Sequence, residues 1–86
     1  MNKAVLALRS LREAIGSEWR HKAAPGVVHL LSINDRELTV KITETSGLRD
    51  TWTIPEFLRE FRAAIPKDKV PTWYERLLSD KLVSPV

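Results

Sequence analysis

From Glu37 to Glu44 apolar and polar side chains alternate one by one: Leu38, Val40 and Ile42 point one way, Thr39, Lys41 and Thr43 the other. A period of two is the signature of a half-buried strand. Upstream, Val27 to Ile33 is apolar on both sides, with Val27, Leu31 and Ile33 on one and Val28 and Leu30 on the other. That predicts a central strand, or one covered on both faces. Asn34-Asp35-Arg36 between the two predicts a tight turn and a hairpin. Thr45-Ser46-Gly47 predicts a second turn, and Asp50 to Ile54 a shorter returning strand. Ser17 to Lys22 reads as a short strand anchored by Trp19, followed by an Ala24-Pro25-Gly26 turn.

Three segments carry the helical period instead. Residues 3 to 15 place Ala4, Val5, Leu8, Leu11 and Ile15 on one stripe, with Asn2 to cap the start and Gly16 to end it. Pro55 to about Ala64 presents Phe57, Leu58, Phe61 and Ile65. Thr53 and Glu56 have capping-box spacing there, and Trp52 and Phe57 the spacing of a hydrophobic staple. Beyond the connector between Pro66 and Pro71, Thr72 to Glu75 repeats the box spacing and opens a last helix to about Lys81, with Trp73, Leu77 and Leu78 as its face. The expected fold is α+β and a single domain over residues 1–86. It comprises an N-terminal helix, a three- to four-stranded antiparallel sheet (a meander or a curled, barrel-like one), and two C-terminal helices.

Composition narrows the chemistry. With 43% hydrophobic residues and three tryptophans, 86 residues can build one core without staples, and there is no cysteine to supply a disulfide, thiolate ligand or thiol nucleophile. That suits a reducing cytoplasm. The apolar run Ala4 to Leu8 is too short for a signal peptide, because Arg9 and Arg12 interrupt it. The net charge of +3 comes from 14 basic and 11 acidic residues that are interspersed, as in Asp35-Arg36-Glu37 and Lys67-Asp68-Lys69. A mixed-charge surface accounts for it without a polyanion.

Candidate chemistry is sparse. No Gly-rich phosphate loop and no serine elbow is present, and Glu56 and Glu60 read as ordinary charges on a helix face. Neither a cofactor, a metal site nor a catalytic residue is expected. His29 alternates with Val27 and Leu31, so a pocket for a small molecule, or an enzyme site, would be sought there. A nucleic-acid surface would use Arg20, Lys22, Lys41 and Arg49 across the sheet, with Trp19 stacking on a base. A protein interface would use the last helix and the apolar tail. Adjacent helix positions differ by about 100°, so Trp73 and Tyr74 cannot both face a narrow stripe. Together with Leu77, Leu82, Val83 and Val86 they suggest a protein contact, self-association included.

The Trp19 strand, the Gly26-Val27-Val28 strand, the polar hairpin and the closing Trp52-Thr53-Ile54-Pro55-Glu56-Phe57 with Phe61 resemble small SH3-like barrel proteins of phages, plasmids and other mobile elements. The resemblance covers about Glu18 to Phe61. One branch of such barrels, the plasmid-borne type II dihydrofolate reductases, has a Val-Gln-Ile-Tyr run in its active strand. The counterpart here, Thr51-Trp52-Thr53-Ile54, lacks the glutamine and tyrosine, so no catalytic residue carries over. The leading expectation is a small non-catalytic interaction or accessory protein that associates through an apolar helical surface. Nucleic-acid binding and a small-molecule pocket near His29 are the alternatives.

Overall fold

The computed structural model describes residues 2–83. The chain runs α1 (Lys3–Glu13), β1 (Glu18–His21), β2 (Val27–Asn34), β3 (Thr39–Glu44), β4 (Arg49–Thr53), α2 (Ile54–Glu60), β5 (Phe61–Ala63) and α3 (Thr72–Ser79). It is an α+β fold with a five-stranded antiparallel sheet in the order β4-β3-β2-β1-β5 and three helices. The sheet therefore has five strands where three or four are expected. The addition is β5, within the segment whose pattern predicts a helix to Ala64.

The hairpin of β2 and β3 forms, but its turn runs on through Leu38, which is left-handed at φ 57°, so β3 begins at Thr39 and not at Glu37. A bulge between Leu30 and Ser32 is not announced by the alternation. The bulge explains why β2 looks apolar on both sides. Val28 and Leu30 face inward, and the extra residue then switches the phase so that Ile33, opposite Val40, faces inward as well. Leu31 is left 36% exposed. The strand is covered on one face, not two.

The sheet is strongly curled. Four inter-strand gaps of about 4.8 Å would set the outermost strands of a flat sheet about 19 Å apart. Instead Trp52 of β4 and Phe61 of β5 meet edge-to-face with ring centroids 5.1 Å apart. Phe57 stacks on Phe61 at 5.0 Å and tilts against Trp19 at 4.6 Å, and Trp19 stacks on Trp73 at 5.9 Å. This aromatic chain crosses the interior from β4 to α3. The ring on which Trp52 closes is Phe61, not the Phe57 expected from staple spacing.

α1 starts where Asn2 accepts a hydrogen bond from the Ala4 N–H at 2.8 Å. Its buried face is Ala4, Ala7, Ser10 and Leu11, continued by Ala14, while Val5 and Ile15 are 44% and 52% exposed. The expected stripe is thus rotated toward small side chains. They let the helix lie close to α3, to which Arg76 joins it by pairing with Glu13. No helix among the described residues is long and apolar enough to cross a membrane.

Candidate binding groove

α2 is set by its cap. The Thr53 hydroxyl accepts from the Glu56 N–H at 3.4 Å and donates to the Glu56 carboxylate at 2.9 Å, with Pro55 in the first turn. Ile54 and Phe57 are fully buried and Leu58 nearly so, which leaves Pro55 and Arg59 on the outer side. α3 begins at a Pro71 N-cap with no side-chain bond, so the Thr72 box does not form. Its other end closes with the Leu82 N–H donating to the Leu77 carbonyl at 2.9 Å and the Lys81 N–H to that of Leu78 at 3.0 Å. That closure requires a left-handed residue at Lys81, whose φ is 58°.

These two helices and the N-terminal turn of α1 enclose a groove of about 640 Å³. Its floor is aliphatic: Ile54, Leu58, Leu78 and Leu82 with Pro55. Its rim is cationic, formed by Lys3, Lys22, Arg59 and Lys81, and no carboxylate is among the described residues that line it. Arg59 has a contact with Glu60 at 3.4 Å, both on exposed side chains. A small cleft of about 40 Å³ adjoins this groove, sharing Lys22, Leu58 and Val83 and adding Arg62 and Tyr74. Arg62 stands directly opposite Arg20 across the pairing of β1 with β5. Lys22 thus links a cluster in the groove to a pair on the sheet edge.

The structure redistributes the expected site residues. Trp19 is fully buried, with its indole N–H on the Ser17 hydroxyl at 2.8 Å, and so is not available to stack on a base. Arg20, Lys41 and Arg49 occupy outward register positions on β1, β3 and β4, but the curl turns the β3–β4 side away from β1 and β5. Lys22 lines the groove instead of the sheet face. Trp73, Tyr74 and Leu77 are core: α3 lies in a contact wide enough to bury neighbours 100° apart, Trp73 on Trp19 and Tyr74 edge-on to Trp73. These three side chains therefore lie inside the domain and not on the surface expected of them. Leu82 and Val83 are half-buried and line the groove, while Val86 lies outside the described residues.

His29 lies outside every described cleft. It is half-exposed, with Nε2 4.0 Å from Glu18, and lines none of the four clefts described among residues 2–83. His21 lines a hollow of about 350 Å³ between the β1–β2 and β3–β4 turns, beside Trp52 and Phe61. Its Nδ1 accepts from the Ala23 N–H at 3.0 Å. Among the described residues no group of three or more His, Asp or Glu converges to hold a metal.

Sequence reasoning missed Lys3, Arg59, Arg62 and Lys81, which come from four separate segments. One signal was present. Lys3 sits in the first turn of α1, where no acidic residue offsets it, and a cation there opposes the helix dipole. No protein-family model matches this chain, and neither a curated protein nor a solved structure does.

Proposed function

We propose that this protein is a small non-catalytic interaction module whose working surface is the groove between α1, α2 and the end of α3. One observation carries the reading: an aliphatic groove, in which Pro55, Leu78 and Leu82 keep surface above the buried Ile54 and Leu58, is ringed by four cationic side chains, with no described carboxylate lining it. Apolar surface left uncovered within a charged rim is the usual form of a binding site on a small domain. The expected apolar helical contact is kept, moved from the buried face of α3 to its C-terminal end. The curled sheet supports the resemblance to small SH3-like barrel proteins, and an accessory role on a mobile element is proposed on that basis alone.

The dye 8-anilinonaphthalene-1-sulfonate tests the groove, since it couples an apolar body to an anion. Native protein is expected to enhance its fluorescence, Leu78→Gln to abolish the enhancement, and Leu48→Gln, at a 67% exposed site on the β3–β4 turn, to leave it intact. Equal binding to both variants, or none to the native protein, would remove the groove as the working surface.

A further inference from the structure

We infer that the partner is an acidic peptide segment carrying aliphatic anchors, laid along a track that runs from the groove over Lys22 to Arg62 and Arg20. The inference rests on the groove reading and adds the partner's chemistry and path. Lys3, Arg59 and Lys81 border the groove, Lys22 lines both it and the adjoining cleft, and Arg62 lines that cleft. Arg20 faces Arg62 across the ladder. Six cations are thereby joined in one continuous run.

Two local arrangements favour an anion there. Like charges directly opposite across an antiparallel pair repel, and neither Arg20 nor Arg62 is bonded to a carboxylate among the described residues. Carboxylates of a partner would bridge the two guanidiniums, which favour such forked contacts. Lys3 in the first turn of α1 is relieved by the same charge. The floor then separates the classes of polyanion. Single-stranded nucleic acid binds on exposed aromatic faces, whereas the accessible floor here is Pro55, Leu78 and Leu82 over the buried Ile54 and Leu58, which fits aliphatic side chains. Trp19 and Trp73, near enough in the chain to have offered a platform, are in the core.

The test uses four fluorescein-labelled probes with the full chain. They are a peptide of alternating Glu and Leu, the same peptide with Lys for Glu, the acidic peptide with Ser for Leu, and an oligothymidylate. The Glu/Leu peptide is expected to bind at least tenfold tighter than each of the others. Arg62→Glu is expected to weaken it about tenfold while melting no lower than the native protein, because the substitution turns a like-charge pair into an opposite one. A loss of binding with unimpaired folding separates a binding role from a structural one. Equal affinity for the Lys/Leu peptide, tighter binding of oligothymidylate, or indifference to Arg62→Glu would overturn the inference. So would a doubled mass by light scattering that Leu78→Gln returns to monomer, since the occupant would then be a second copy of the chain. If the sulfonate dye binds in a Leu78-dependent way but the peptides show no charge preference, only the partner chemistry fails. If the dye fails too, the groove reading fails with it.

Discussion

Lys81 holds a backbone conformation normally given to glycine, with φ of 58°, so that the chain can close α3 through the Leu82 to Leu77 hydrogen bond. Left-handed backbone costs a side-chain-bearing residue about 1 kcal/mol or somewhat more. Lys81→Gly is therefore expected to stabilise the protein by about 0.5–1 kcal/mol, read as a rise in Tm of a few degrees. The same change removes a rim cation, so dye and peptide binding should weaken as stability rises. Residues that break a local rule without local gain tend to be those with another task. Lys81, Lys3 and the Arg20–Arg62 pair share that trait, and all lie along one track. Thr53 is the opposite case: its cap is readable from spacing alone, and Thr53→Ala should cost about 1 kcal/mol in urea unfolding.

At the scale of elements, the segment after Glu60 decides the topology. Phe57, Phe61 and Ile65 have helical spacing, and Arg62-Ala63-Ala64 are good helix formers, so local propensity favours continuing α2. Yet Phe61 turns to φ −117° and ψ 151°, and the next residues pair with β1. The gain is tertiary. The Lys22 N–H donates to the Glu60 carbonyl and the Ala64 N–H to that of Glu18, both at 2.9 Å, satisfying an edge of β1 that a longer helix would leave bare. A strand and a helix respond oppositely to β-branching at an exposed site. With β5 as a strand, Arg62→Val should be more stable than Arg62→Ala by about 0.5 kcal/mol in urea denaturation; the reverse order would restore the helix.

For the whole molecule, Phe61 connects the two ends of the sheet. It takes Trp52 of β4 edge-on, stacks on Phe57, and is met by His21 at 4.9 Å. Phe61→Ala should cost about 3–5 kcal/mol, a large share of the 5–15 kcal/mol typical of a domain, and collapse the near-ultraviolet circular dichroism. Phe61→Leu, which keeps most of the volume, should retain it. Because β5 and α2 support the groove, loss of the curl should abolish dye binding as well. A substitution at the closing ring would thus reach a site it does not line.

What can be read along the chain is local: the alternation of β3, the hairpin, the Asn2 and Thr53 caps, and the presence of a tryptophan-built core. These follow from side-chain period and short-range hydrogen bonds, which act over a few residues. Tertiary structure alone decided that Arg62 belongs to a strand, that Trp73 and Tyr74 are both inside, and that α1 turns its alanines inward. It also decided that cations at positions 3, 22, 59, 62 and 81 border one groove and its neighbour. Burial and pairing there depend on partners distant in the chain, and no window along the sequence contains both sides of such a contact.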